Sequence, residues 1–214
     1  MKITSVLEVI FLRINFSRQL MRISFEYMRI PITYRIKTER CILRCVSSQD
    51  IPYVFSATQF LGFNNGMPWE PPQFIEELHE YLQQSLQSWE SDSAYTFTIE
   101  CASTSTFIGR ISIRKNHELA RIWNLGFWTH PEHQNQDYMT EAAQAIIKFS
   151  FTLLAADRIE AYHALWNRSS EKVLKKIGMQ FLRYIPEGFQ KRDQWVEVNF
   201  LAIERKDWQT SSFS

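Results

Sequence analysis

Hydrophobic residues recur along this chain with two periods, and the switches between them predict alternating strands and helices. Tyr95, Phe97 and Ile99 alternate with polar neighbours, Ser103-Thr104-Ser105 makes a turn, and alternation resumes from Phe107 to Ile113, which predicts a β-hairpin. Arg121 to Trp128 supplies another strand. From about Thr140 to Leu154 the period lengthens, and Ala143, Ile147, Phe151 and Leu154 fall on one helical face. Arg158 to Leu165 then reads as a strand, so strand, helix and strand form the crossover of a parallel pair. Asn167-Arg168-Ser169-Ser170 caps a helix that turns Val173, Leu174 and Ile177 inward. Lys175 and Lys176 suit the negative end of its dipole, and Gly178 stops it. Two final strands are predicted near Gln180 to Ile185 and Val196 to Ile203.

Upstream, T-E-R-C-I-L-R around Ile42 makes a first strand, and Ser47-Ser48-Gln49-Asp50 caps a short helix through Val54 and Phe55. A loop with Gly62, Gly66, Pro68, Pro71 and Pro72 follows. Pro72 is placed to start a helix whose buried stripe is Phe74, Leu78, Leu82, Leu86 and Trp89. Mixed strands and helices without repeats or internal linkers predict an α/β fold: one domain over residues 31–210 with a mixed parallel and antiparallel sheet flanked by helices.

The first thirty residues carry five Lys or Arg against two Glu, although the whole chain nearly balances at 24 Lys and Arg against 23 Asp and Glu. Residues 1–30 therefore read as a separate N-terminal extension. Its apolar run Val6 to Leu12 is interrupted by Glu8 and has no small-residue cleavage site after it, which argues against a secretory signal. An upstream start is the alternative, with Met28 opening the domain. The balanced charge gives no polybasic surface for nucleic acid or membrane, and no run reaches the roughly 18 apolar residues of a span. Three cysteines, Cys41, Cys45 and Cys101, with two on one face of one strand, fit reduced thiols in a cytoplasmic compartment. The protein is expected to be a monomer or homodimer, independently of its cysteines. Cys41-x-x-x-Cys45 has no nearby His, so no metal is expected.

The chemistry concentrates where W-T-H-P-E-H-Q-N-Q-D-Y-M-T-E-A runs from Trp128 through a polar loop into the helix. A helix start exposes unpaired N–H groups and the positive end of the dipole, which suits a pyrophosphate. The segment resembles the acetyl-CoA loop of the GNAT N-acetyltransferases, in particular the branch acting on ribosomal-protein N-termini, which runs roughly P-x-H-Q-G-Q-G-x-M-T-E-A. Pro131, His133, Gln134, Gln136, Met139, Thr140, Glu141 and Ala142 match it. Asn135 and Asp137 replace both glycines, and Glu132 replaces the usual Gln or Arg. The resemblance implies acetyl-CoA as co-substrate, held by Trp128, Thr129, Gln134, Asn135, Gln136, Asp137, Tyr138, Met139 and Thr140.

Asn and Asp are the non-glycine residues that best tolerate left-handed angles, so the loop can keep its curvature. The Asp137 carboxylate, however, is expected to repel the pyrophosphate or to cap the helix N–H groups itself.

A second segment, A-D-R-I-E-A-Y-H-A-L-W-N-R-S-S-E-K-V-L-K-K-I-G-M, resembles the family's strand, N-x-x-S and helix. Acyl transfer to an amine expels a thiolate, so a nearby hydroxyl can donate a proton. The resemblance gives that role to Ser170 and assigns Asn167 to the pantetheine arm; a simple helix cap is the plainer reading of both. Leu174 replaces the tyrosine of other branches, and Asn124 replaces a Glu that relatives use as a base, which leaves Glu187 as the base candidate. Trp69 and Glu70 in M-P-W-E-P-P resemble the loop that encloses the acceptor, or Trp69 is a core plug.

The expected activity is acetyl transfer to an amine, first a protein N-terminal α-amino group such as that of a ribosomal protein. One alternative is a small amine, for which Glu76, Glu77 and Glu80 could supply an acidic face. Another is a binding or regulatory module of the same fold with a weakened acetyl-CoA site.

Overall fold

Eight strands share one sheet in the computed structural model, which describes residues 29–116, 118–119 and 121–210. The strands are β1 (Arg35–Lys37), β2 (Cys41–Cys45), β3 (Ala94–Cys101), β4 (Phe107–Lys115), β5 (Ile122–Thr129), β6 (Arg158–Ala164), β7 (Gln180–Lys191) and β8 (Gln194–Glu204). Their order is β1-β2-β3-β4-β5-β6-β8-β7. All neighbours are antiparallel except β5 and β6. The helices are α1 (Ile51–Thr58), α2 (Leu78–Glu90), α3 (Tyr138–Thr152), α4 (Arg168–Lys176) and α5 (Arg205–Gln209). As its 3.6-residue pattern requires, α3 buries Ala143, Ile147 and Phe151 and crosses between the parallel strands. The expectations for Val6 to Leu12 and for a start at Met28 lie outside the described residues. None of the described helices is long and apolar enough to cross a membrane.

Two expectations are corrected. Pro72 does not open α2, and Phe74 is not in its buried stripe: Phe74 is 66% exposed, whereas Leu78, Leu82 and Trp89 are buried. The Glu77 carboxylate accepts from the Phe74 N–H at 2.9 Å, so Phe74 is the capping position of a short 3₁₀ turn and lies outside the helical period. The last two strands are also longer than their alternation suggests, and Glu187 lies within β7 rather than in a connection. Pro186 and Gly188 read as strand breakers, yet β7 is the sheet edge and its register slips between Ile185 and Phe189, where both are tolerated.

One face of β3 joins the ring cluster of Trp89, Tyr95, Phe97 and Phe149, with centroid separations of 4.8 Å for Trp89–Phe97 and 5.6 Å for Phe97–Phe149. The other face is polar. Arg44, Thr98 and Arg110 stand in a row across β2, β3 and β4, and Asp50, at the head of α1, sits over them with 1% exposure. Its carboxylate accepts from Arg44 at 2.6 Å, Thr98 at 2.6 Å and the Ser47 N–H at 2.9 Å. Burial pushes this carboxyl up, but those three donors together hold it below its ordinary value. The bonds fasten α1 to the sheet.

Asp50→Ala should lower unfolding free energy by about 3–5 kcal/mol, because two guanidinium groups lose their buried partner. Since the folded carboxyl titrates below the unfolded value of about 3.9, its contribution is complete above that pH and disappears as pH falls through the folded value. Urea unfolding at neutral pH and in acid should show a mutational loss that shrinks in acid. A loss that is independent of pH would contradict the ionic account.

Candidate active site

The parallel contact between β5 and β6 is short: Ile122, Trp123 and Asn124 pair with Arg158, Ile159 and Glu160, and no further. Beyond it β5 continues to Thr129 against β4 alone, while β6 continues to Ala164 against β8 alone. The two strands thus part into a fork. His130 N–H donates to the Ile108 carbonyl at 2.8 Å, and this sets the alternation along β5. Trp128, Gly126 and Asn124 direct their backbone groups to β4, whereas Leu125, Phe127 and Thr129 direct theirs toward β6, where the last parallel pair uses the Leu125 N–H and leaves the Leu125 carbonyl and the Phe127 groups to the fork. Strand groups left in this way can bond an extended ligand.

The chain leaves β5 through a 3₁₀ turn, Pro131–His133, and reaches α3 with two left-handed residues, Asn135 and Asp137, both at φ 60°. These are the two positions without glycine, so the loop keeps the expected curvature. Gln134, Asn135, Gln136 and Asp137 are exposed. The N–H groups of Tyr138, Met139 and Thr140 begin α3 without helical partners, and no side chain among the described residues caps them. Met139 is buried and anchors the turn.

The Asp137 carboxylate does not cap the helix, contrary to one of the two expectations for it. Lys176, in the last turn of α4, donates to it at 2.5 Å and Thr140 at 3.3 Å. Lys176 and Thr140 hold this exposed carboxyl below its ordinary value. The loop has a second anchor that the sequence reading passed over. Glu141 accepts from Thr38 at 2.5 Å, from the Arg40 N–H at 2.7 Å and from Arg40 Nε at 2.8 Å. Arg40 also donates to the Gln136 carbonyl at 3.1 Å and lies 4.7 Å over the Tyr138 ring. The T-E pair of the loop motif carried the signal for Glu141; nothing local points to its partners about a hundred residues away.

At the far end of β6, Asn167 caps α4, its side-chain oxygen accepting from the Ser170 N–H at 3.1 Å. Asn167 thus serves as the helix cap, and the Ser170 hydroxyl has no hydrogen-bond partner among the described residues. Gly66 touches this corner so closely that an added Cβ would lie 2.8 Å from Asn167 Nδ2, which seats the 62–72 loop beside Asn167. Lys191, from the turn end of β7, donates to the Trp69 carbonyl at 2.8 Å and lies 3.1 Å from the Glu70 carboxylate. Trp69 sets its ring edge-on to Tyr81. Loop and hairpin thereby frame a cleft of about 340 Å³ lined by Asn65, Trp166, Lys191, Arg192, Trp195 and Glu197 among others.

The other candidates fall outside these contacts. Glu187 is exposed on the edge strand, with β8 between it and β6. The Trp128 ring packs edge-on against Phe63 at 5.2 Å, so its side chain supports the loop. The Gln134 amide reaches the Thr129 carbonyl at 3.4 Å. Although no metal cluster was expected, His130, Glu132 and His133 bring potential ligand atoms within 4.8 Å of one another. His130 is buried there, and burial lowers its pKa.

A family model described as Acetyltransferase (GNAT) domain matches residues 40–180. The chain is 27% identical over 173 residues to the uncharacterized N-acetyltransferase YnaD of Bacillus subtilis, covering 81% of this chain and 98% of that protein. Among solved structures, the RimL ribosomal L7/L12 alpha-N-protein acetyltransferase in complex with coenzyme A superposes with a TM-score of 0.71 at 17% identity, covering 80% of this chain and 98% of that one. Spermidine N-acetyltransferase from Vibrio cholerae, in complex with CoA and spermine, gives 0.70 at 17% identity, covering 81% and 100%. At such identities the structures establish a shared fold.

If Lys176 shields the loop from the Asp137 charge, Lys176→Ala should weaken acetyl-CoA binding by up to about fivefold at low salt, and the loss should shrink as salt rises. In an Asp137→Gly background the same change should cost little. Calorimetric titration of the four proteins checks this; an equal loss in both backgrounds would mean that Lys176 acts on the ligand directly.

Proposed function

The chain belongs to the GNAT acetyltransferase family, and from that premise we propose that it transfers the acetyl group of acetyl-CoA to a protein N-terminal α-amino group. The observation that carries the acyl-donor half is the fork, opening beside the uncapped first turn of α3. The fit is specific in chemistry. Unpaired N–H groups of Tyr138, Met139 and Thr140 suit a pyrophosphate, and the Leu125 carbonyl and Phe127 backbone groups, past the last parallel pair, suit an extended amide-bearing arm. Asn135 and Asp137 supply the left-handed turn that brings those groups together.

In this reading Asn167 holds the arm near the end of β6, and Ser170 Oγ donates a proton to the departing thiolate. A group that strengthens its bond as charge develops acts on the transition state more than on the bound ground state. The acceptor enters through the cleft between the 62–72 loop and the β7–β8 hairpin, beside Trp69 and Glu70. Glu197 lines that cleft and accepts the Tyr184 hydroxyl. It is better placed than Glu187 to take the proton of the incoming amine through water. No role here calls for a metal.

The acceptor class rests on the charge of the cleft. Lys191 and Arg192 line it with Trp166, Trp195 and Glu197, while Glu70 at its edge is paired with Lys191 and Glu197 with the Tyr184 hydroxyl. A polyamine brings several positive charges to a cleft whose carboxylates are already engaged and whose Arg192 is cationic, whereas a peptide start brings only its one amine. Two of the three acidic residues that could favour a small cationic amine are engaged elsewhere: Glu77 caps Phe74, and Glu80 accepts from Gln84 at 3.2 Å on exposed α2 surface.

A thiol-release assay against N-terminal peptides and spermidine should show turnover with peptides. Ser170→Ala should reduce kcat about a hundredfold while acetyl-CoA affinity changes by less than about twofold. Glu197→Gln should flatten the rise of rate with pH, and Glu187→Gln should not. Preference for spermidine would overturn the acceptor assignment, and acetyl-CoA binding without release for any amine would favour a binding module.

A further inference from the structure

Cys41 on β2 and Cys101 on β3 are directly opposed in the sheet, and both side chains lie on the face that β3 turns toward α3. Ala102 N–H donates to the Arg40 carbonyl at 2.8 Å, so the neighbouring pair carries the ladder bond and Cys41–Cys101 is a non-hydrogen-bonded pair. Such pairs hold their Cα atoms about 4.5 Å apart, inside the span that a disulfide bridges. Cys45, four residues along the same strand, faces Phe97 instead.

The two thiols have different surroundings. Cys41 is fully buried, and burial pushes its thiol up to about 11. Cys101 lies at the end of the hairpin with 9% exposure, where the Ser103 hydroxyl stands 3.3 Å from its sulfur and the Tyr138 hydroxyl 3.9 Å away. Hydrogen bonds, first from the Ser103 side chain and then from Thr104, lower its pKa to about 6. One sulfur therefore favours the thiolate, in a residue that keeps 9% exposure at the hairpin end, and the other is a protonated thiol held opposite it.

Both cysteines also touch the anchors of the α3 loop. Tyr138 is the first residue of α3 and bonds the Cys101 sulfur. Arg40, next to Cys41, holds Gln136 and Glu141, and the Cys41 N–H donates to Thr38, which itself bonds Glu141.

We propose that Cys41 and Cys101 are a redox-sensitive dithiol that closes to a cross-strand disulfide and thereby loosens the loop at the start of α3. With hydrogen peroxide as oxidant, the Cys101 thiolate attacks one peroxide oxygen and becomes a sulfenic acid as hydroxide leaves. The Cys41 sulfur then attacks the Cys101 sulfur, and the hydroxyl group departs with the Cys41 proton as water. The dithiol loses two electrons and the peroxide gains them. Closing the bond removes the thiolate acceptor from Tyr138 and draws the strand that carries Arg40.

The full-length protein, treated with a few equivalents of peroxide, should lose the mass of two hydrogen atoms and yield a Cys41–Cys101 cross-linked peptide that dithiothreitol reverses. Cys41→Ser should instead stop at the sulfenic acid, gaining one oxygen and capturing dimedone. Titration with acetyl-CoA, a thioester with no free thiol to reduce the bond, should show about tenfold weaker binding to the oxidised protein and recovery on reduction. Absence of the cross-link, or a link through Cys45, would overturn the dithiol. A Cys41–Cys101 link with unchanged acetyl-CoA affinity would overturn its coupling to the loop.

Discussion

A parallel contact only three residues long decides what this sheet can do. If β5 and β6 stayed paired to their ends, every backbone group on both would be satisfied and the sheet would offer no place for a ligand. They part because β6 takes β8 as its lasting partner while β5 remains with β4. The crossover helix α3 must begin close to the open end of the fork, since it leaves β5 there. The fork, its free strand edges and an uncapped helix start are thus one consequence of topology, and the proposed acyl-donor site is built from them.

Curvature at the helix start is the local requirement, and the chain meets it with Asn135 and Asp137. A short polar side chain makes the left-handed angle tolerable, but Asp137 adds a negative charge at the helix start proposed to receive the pyrophosphate. Lys176 answers that charge from the adjacent helix. This exposed pair adds little to stability; its consequence is local, because it turns the carboxylate onto a cation and leaves the N–H groups of Tyr138 to Thr140 open.

Much of this was legible in the sequence because it is local. The period of α3 and the hairpin from Tyr95 to Ile113 follow from side chains a few residues apart, and so does the tolerance of Asn135 and Asp137 for positive φ. What stayed hidden is long-range. Lys176 lies 39 residues from Asp137, and Arg40 lies 101 from Glu141, so no spacing rule connects them. Lys176 read simply as a favourable charge at a helix end. Phe74 matched the stripe of α2 by period but caps the 3₁₀ turn that precedes it, where that period does not apply. Glu187 was taken from a break between strands, yet an edge strand accepts Pro186 and Gly188, and Glu197 was passed over because alternation alone does not show which strand residue borders a cleft.

The account's central claim is that the glycine-less loop presents the first amides of α3 to the pyrophosphate of acetyl-CoA. Amide hydrogen exchange, followed with and without acetyl-CoA at saturating concentration, reads those groups directly. The predicted result is slower exchange at Gln136 to Thr140 and along Leu125 to Thr129 when the ligand is bound. Unchanged exchange at Tyr138, Met139 and Thr140 in a protein that binds acetyl-CoA would contradict it.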